Sequence, residues 1–181
     1  MKQFVMVVFA AVIVLGAGSA AYAKSSQSPV AGDLEVDGSM VLATGPGDYD
    51  SGFGINFGAG YALASVDRNL QARVDLSYLQ FKKDYRWGKG EYDRIPIILS
   101  ARYYLPPFDK LRLFGQAGVI TSIDSYDTAS HDSKNEIRIG LAPAVGVEFL
   151  INPKLGFFAM TRAHLITDSY MSMHFGVAAY F

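Results

Sequence analysis

The sequence predicts an all-β fold, an eight-stranded antiparallel up-and-down transmembrane β-barrel preceded by a cleavable signal peptide. Three observations carry this expectation. Eight segments alternate apolar with small or polar residues at period two. The connections between them alternate in length. Beyond the N-terminal signal, no stretch is continuously apolar for the ~18 residues that mark a spanning helix, although half of the chain is hydrophobic. A closed sheet crosses lipid with that pattern, because closure satisfies every backbone group and the two faces alternate between lipid and lumen.

The N-terminus reads as an export signal. Lys2 precedes an apolar run from Phe4 to about Ala17, followed by Ala21-Tyr22-Ala23. That is a charged region, an apolar region and an A-x-A cleavage site. The apolar run is too short to span a bilayer. The expected organisation is a signal peptide over residues 1–23, a polar periplasmic leader over 24–33 and a barrel over 34–181.

The first predicted strand, about 34–44, sets Leu34, Val36, Met40 and Leu42 against Glu35, Asp37 and Ser39. The second, about 52–64, alternates Phe53, Ile55, Phe57, Ala59, Tyr61 and Leu63 with Gly54, Asn56, Gly58, Gly60 and Ala62. The third, about 70–82, sets Leu70, Ala72, Val74, Leu76 and Tyr78 against Gln71, Arg73, Asp75 and Ser77. In the fourth, about 92–105, Ile95, Ile97, Leu99, Ala101 and Tyr103 oppose Arg94, Pro96, Ser100 and Arg102. The fifth, about 111–121, is less regular, since Phe114 and Ile120 share a face with Arg112 and Gln116. The sixth, about 136–150, points Ile137, Ile139, Leu141, Val145, Val147 and Phe149 outward, and Arg138, Gly140, Ala142, Ala144, Gly146 and Glu148 inward. The seventh, about 155–166, sets Leu155, Phe157, Ala159, Ala163 and Leu165 against Met160, Arg162 and His164; the eighth is the C-terminal segment. Pro143 falls inside the sixth, where it removes a ladder hydrogen bond. A bulge or local distortion is expected there, or a shorter strand.

Residues 65–69, 106–110 and 152–154 are short connections, whereas 83–91 and 122–135 are long and polar; 45–51 is intermediate and 167–169 short. Short periplasmic turns and long external loops are the rhythm of an outer-membrane barrel, and an even strand number puts both termini on the periplasmic side.

The inward positions carry charge of both signs. Glu35, Asp37, Arg73, Asp75, Arg102, Arg112 and Glu148 fall in the half nearer the termini, and Arg94, Arg138, Arg162 and His164 toward the other. An eight-stranded barrel has room only for side chains, and buried charges must be paired. A lumen packed with ion pairs is therefore expected. Aromatic residues near both strand ends (Tyr103, Tyr104, Phe108, Phe149, Phe157, Tyr180 and Phe181 at one; Tyr78, Phe81, Tyr85, Tyr92 and Tyr170 at the other) read as two interfacial girdles. The segment around Lys83, Tyr85, Arg86, Trp87 and Lys89 combines basic and aromatic side chains, suited to contact with phosphates or a surface through charge and stacking.

The chain has no cysteine, so neither disulfides nor cysteine metal sites arise, and three scattered histidines make no metal motif. A net charge of −1 gives no support for nucleic-acid binding. No cofactor is expected.

The last eight residues, His174-Phe175-Gly176-Val177-Ala178-Ala179-Tyr180-Phe181, end on an aromatic after an alternating strand. This resembles the C-terminal signal by which bacterial outer-membrane barrels are recognised for insertion, with His174, Gly176 and Phe181 as its marked positions. With the export signal, the eight segments and the stretch Arg94-Ile95-Pro96-Ile97-Ile98-Leu99-Ser100-Ala101-Arg102-Tyr103-Tyr104-Leu105, the mature chain resembles the small bacterial outer-membrane β-barrel family of the OmpX, Ail and OmpA membrane-domain type. The resemblance implies an outer-membrane location with outer-membrane lipid, lipopolysaccharide and the barrel-assembly machinery as partners, and host or surface ligands at the loops. Roles within that family differ, so a non-enzymatic structural or adhesin-like role stands beside a lipid A-modifying enzyme and a narrow channel or carrier. Arg162-x-His164 resembles in part the lipid A deacylase barrels, where the catalytic His is followed two residues on by a serine. Here that position is Ile166, which disfavours the enzyme.

Overall fold

The computed structural model describes residues 34–46, 50–85, 88–108, 110–127 and 134–181. The expected signal peptide and leader lie outside these residues. The described strands are β1 (Leu34–Ala43), β2 (Gly52–Ala62), β3 (Leu70–Tyr85), β4 (Gly88–Tyr104), β5 (Leu111–Asp127), β6 (Lys134–Leu141), β7 (Ala144–Asn152), β8 (Leu155–His164) and β9 (Tyr170–Tyr180). Each pairs antiparallel with its sequence neighbour, except that β6 and β7 both lie along β5. The β1–β9 pairing closes the sheet. β6 and β7 are two halves of one wall strand, so the barrel wall has the eight strands the alternation predicts.

Pro143 separates the two halves, but without a bulge. The pairs Val119↔Leu141 and Gln116↔Ala144 keep the same register across the gap. Ala142 still donates to the Gly118 carbonyl, and Ala163 donates to the Pro143 carbonyl at 2.9 Å. In an antiparallel ladder the second bond of that pair would come from the N–H of residue 143, which proline lacks. The register shift in this part of the wall lies lower, between Leu150 and Asn152.

The long connections are shorter than the sequence suggests. β3 and β4 stay paired up to Tyr85↔Gly88, and β4 pairs with β5 up to Glu91↔Asp127. An apolar alternation test ends where the outward face turns polar, at Lys82 and Asp93. The backbone ladder needs no apolar face outside lipid and continues. On β1, β2, β8 and β9 the strands end sooner. The wall is therefore taller over β3–β6 than over the rest of the barrel.

Exposure alternates along the strands. Met40, Phe57, Leu99, Val119, Phe157 and Phe175 face outward. The girdle assignment needs correction on the same parity. Tyr103, Phe149, Phe157 and Phe181 point outward, but Phe81, Tyr92, Tyr104, Tyr170 and Tyr180 are buried in the lumen. Tyr104 is two residues from Arg102 and Tyr180 six from His174, which puts each on the inward face of its strand.

Candidate functional site: a sealed lumen and a raised rim

The lower lumen, toward the termini, is a charge lattice centred on Arg73. Its guanidinium contacts Glu35 at 2.5 Å, Asp75 at 3.3 Å, and Asp37. Strands β1 and β3 flank β2, and the absence of a side chain at Gly58 gives the three groups room to meet: a Cβ there would strike Arg73, Asp37 and Asp75 together. Glu35 also accepts from Arg102 at 3.0 Å, Gln71 at 2.9 Å and the Tyr104 hydroxyl at 3.0 Å. Asp75 accepts from Gln116 and from Arg162, each at 2.9 Å. A second pair, Arg112–Glu148 at 2.8 Å, lies below. Its guanidinium sits between the Tyr104 and Tyr180 rings, 4.9 and 4.8 Å from their centroids, and Tyr180 donates to Glu148.

The upper lumen differs in kind. Arg94 grips Asp124 through two 2.8 Å bonds and lies between the Tyr92 and Tyr170 rings, 5.1 and 4.8 Å from their centroids. Phe81 packs on both tyrosines. Around them Val41, Leu79, Ile98, Ile120 and Ile166 form an inward-facing apolar cluster. Arg138, at the rim, contacts Asp124 at 3.0 Å, Glu136 at 2.9 Å and Asp168 at 2.5 Å. It also donates to the Thr167 carbonyl. Asp168 holds a left-handed conformation, φ 58°.

Among the described residues the fully buried charges face one another: Glu35, Asp37, Asp75, Asp124 and Glu148 against Arg73, Arg94, Arg102, Arg112 and Arg162. An ion pair out of water survives only when geometry and further hydrogen bonds offset desolvation. The glutamine, serine and tyrosine partners supply part of those bonds, while Arg73 Nε, Arg94 Nη1 and Arg162 Nε and Nη1 make no hydrogen bond among the described residues. Polar lattice below and aromatic plug above leave the barrel axis filled.

Asp124, Gln71, Gln116, Tyr104 and Tyr180 belong to this interior; the alternation puts Gln71 and Gln116 inward without marking them as partners of the charges, and it gives no signal that the two tyrosines leave the girdles. Asp124 falls in the expected 122–135 loop, yet it shares the parity of Arg112 and Gln116 and lies on β5. Lys83, Tyr85 and Lys89 lie on the β3–β4 hairpin, and Arg86 and Trp87 fall outside the described residues. Gly176 faces β1, where a Cβ would strike the Gly38 carbonyl.

The sequence offered His164 no serine, because spacing along one strand cannot see the neighbouring strand. In the fold, Ser172 of β9 sits 2.8 Å from His164 Nε2 and 2.9 Å from His174 Nε2. A hydroxyl within reach of an imidazole is the geometry of an activated nucleophile. All three groups are 1% exposed and lie inside the lumen. Among the described residues no group of three or more His, Asp or Glu side chains is placed to hold a metal ion.

Residues 7–181 match a family model described as outer membrane protein beta-barrel domain. No curated protein sequence matches the chain. Solved structures share the fold at low identity. Neisserial surface protein A is 18% identical with a TM-score of 0.64, over 82% of this chain and 96% of that one. Ail, the attachment invasion locus protein of Yersinia pestis, in complex with the heparin analogue sucrose octasulfate, is 13% identical with a TM-score of 0.58, over 82% and 96%. The N-terminal β-barrel domain of Pseudomonas aeruginosa OprF is 15% identical with a TM-score of 0.54, over 83% and 98%.

Proposed function

From the premise that this chain belongs to the outer-membrane β-barrel family, we propose that it is a non-enzymatic protein of the bacterial outer membrane that acts by contact at the outer surface. The observation that carries this reading is the combination of a filled lumen with a wall raised on one side. A barrel filled along its axis offers no path for solutes, and the Ser172 hydroxyl beside His164 and His174 is buried. What remains available to partners is the tall β3–β6 rim. Both termini face the periplasm, residues 1–23 are removed on export, and the C-terminal strand ending at Phe181 is read by the barrel-assembly machinery.

The β3–β4 hairpin carries Lys82, Lys83, Arg86 and Lys89 with Tyr85 and Trp87. Basic and aromatic residues this close in sequence suit the phosphates of lipopolysaccharide or the sulfates of a surface glycan. A likeness in fold to a protein solved with a heparin analogue supports that direction. The test is adhesion of a deletion strain and its complemented parent to immobilised heparin and to lipopolysaccharide. A complementing triple variant Lys83→Ala, Arg86→Ala, Lys89→Ala should lose binding at normal surface levels. Stable conductance steps from the purified protein in planar bilayers, or unchanged adhesion in the deletion strain, would overturn the reading.

A further inference from the structure

The lipid-facing wall is recessed over β7 and β8. Val145, Val147, Ala159 and Thr161 point outward by parity yet are half-buried, whereas Met173 and Phe175 of β9 beside them are each 52% exposed. These side chains bound an open groove of about 370 Å³, in which Thr161 brings the one hydroxyl. The ladder explains its shape. Val147, Ala159 and Phe175 form one row across the strands, and Val145, Thr161 and Met173 the next. The groove therefore runs across the strands from β5 to β9, about 14 Å at the usual strand spacing of about 4.8 Å. Leu113, which pairs with Val147, marks its lower end. It lies two residues above the start of β5, whereas Phe175 lies five residues from the end of β9.

A glycine points to the same place. At Gly58 and Gly176 a Cβ would strike neighbouring atoms, but at Gly115, which pairs with Val145 and faces outward, a Cβ meets nothing within 4 Å. Its φ is not left-handed either. Neither packing nor conformation asks for glycine there, and glycine weakens a strand interior. Its missing side chain leaves open space beside the groove. Tyr103, opposite Gly115 on β4, does not close that space, because its hydroxyl is held by Asn69 Nδ2 at 3.3 Å. Two exposed lysines stand at the foot of this wall. The Lys110 carbonyl accepts from the Leu150 N–H at 2.8 Å, which sets Lys110 beside β7, and Lys154 lies in the turn between β7 and β8. Leu113 is three residues above Lys110, about 10 Å along the strand. Asp109 offsets one of the two charges, which leaves this edge matched to a single phosphate.

We propose that the groove seats one acyl chain of a glycerophospholipid whose phosphate is held by Lys110 and Lys154. The lining decides the chain: a surface with one hydroxyl offers nothing to a polar solute or to a peptide backbone. The lysines decide the headgroup, since two ammonium groups favour a lipid that carries a phosphate over a neutral one. The recess decides the place. On the wall of β1, β2 and β4, Met40, Phe57 and Leu99 stand clear of their neighbours, and a passing chain touches them from one side. Within the groove it meets protein along its floor and both flanks, and dispersion attraction grows with the number of such contacts. The lysine stems can lie along the apolar wall while their ammonium groups stay at the level of the phosphates.

The inference rests on the reading that the termini face the periplasm, which puts the foot of the groove in the phospholipid leaflet, and the two can fail separately. The full chain, refolded in detergent micelles, is titrated with dioleoyl phosphatidylethanolamine and with dioleoylglycerol, which lacks the phosphate, and bound lipid is counted by native mass spectrometry. One phosphatidylethanolamine should stay bound under activation that strips the detergent. Ala159→Leu and Gly115→Leu, which add methylenes in and beside the groove, should each weaken retention about tenfold, the equivalent of displacing about two methylenes. Ala72→Leu, the same kind of change on the exposed face of β3, should not. Lys110→Gln with Lys154→Gln should lower retention of the phospholipid to that of dioleoylglycerol. On the unaltered protein, dihexanoyl chains should be retained less than dioleoyl chains, which keeps the test decisive if a variant assembles poorly. No retained lipid, retention indifferent to both groove variants and to chain length, or equal loss in Ala72→Leu would overturn the seat. Dioleoylglycerol held as firmly as the phospholipid would overturn the phosphate contact. Labelling of Lys154→Cys on intact cells by a membrane-impermeant maleimide would instead overturn the periplasmic placement, with the purified-protein result standing.

Discussion

Truncating Arg73 is the sharpest test of whether the lumen is dry. Its guanidinium contacts three carboxylates, but their dependence on it differs. Glu35 keeps Arg102, Gln71 and Tyr104, and Asp75 keeps Arg162 and Gln116. Asp37, 4% exposed, keeps no other ion-pair partner among the described residues. Arg73→Ala therefore strands one buried carboxylate and leaves two partly compensated. Breaking a buried pair costs about 3–5 kcal/mol, and a single fully orphaned group places this variant near the lower end. With an m-value of about 1–3 kcal/mol per molar urea, the unfolding midpoint of the protein refolded in lipid vesicles should fall by roughly 1–3 M. Adding Asp37→Ala should restore part of the loss, with a coupling of about 0.5–3 kcal/mol. Ile97→Leu, which changes only the lipid-facing surface, is the control and should leave the midpoint in place. An unfolding free energy for Arg73→Ala within about 0.5 kcal/mol of the unaltered protein, with no coupling to Asp37, would mean that water already solvates these charges and that the lumen is not sealed.

The other expectations are briefer. Gly58→Ala forces a Cβ into Arg73, Asp37 and Asp75. Overpacking of this kind costs about 1–3 kcal/mol, read as a lower urea midpoint. Ser172→Ala should leave the lipid A mass spectrum of the host unchanged, and any shift of acylation on deleting or restoring the gene would contradict the non-enzymatic reading. Deleting Phe181 should lower outer-membrane levels in cells while refolding into detergent in vitro survives, as comparative immunoblotting and heat-modifiability on gels would show. N-terminal sequencing of the mature protein should begin at Lys24.

The wall was legible because lipid and lumen impose opposite demands at alternate positions. In β2, Phe53, Ile55 and Phe57 face outward and Gly54, Asn56 and Gly58 inward, as read from period two alone. The same rule lost the tops of β3, β4 and β5. Above the apolar band both faces are polar, the contrast vanishes, and only the backbone ladder shows that the strand goes on. Pro143 was recognised as an interruption, but its form depends on the neighbours. A missing N–H costs one bond to Ala163, while the bonds of Leu141 and Ala142 on either side pin the register.

The interior was legible by parity and obscured by residue type. Arg73, Arg102 and Glu148 announce themselves as charges that cannot face lipid. Tyr104, Tyr180, Tyr92 and Tyr170 are as inward as they are, yet a tyrosine is equally at home at the membrane interface, so chemistry overruled position and gave them to the girdles. Position was the better guide. Between Tyr104 and Tyr180 the Arg112 guanidinium has an aromatic face on each side, and Tyr92 and Tyr170 do the same for Arg94. In a lumen filled by side chains, a ring beside a cation stands in for part of its hydration. Asp124 shows the reverse error: a charge read as a loop residue is the partner that both Arg94 and Arg138 share. Carrying the parity of Arg112 and Gln116 four steps of two beyond Gln116 up β5 reaches Asp124, and with it the point where the filled lumen meets the rim.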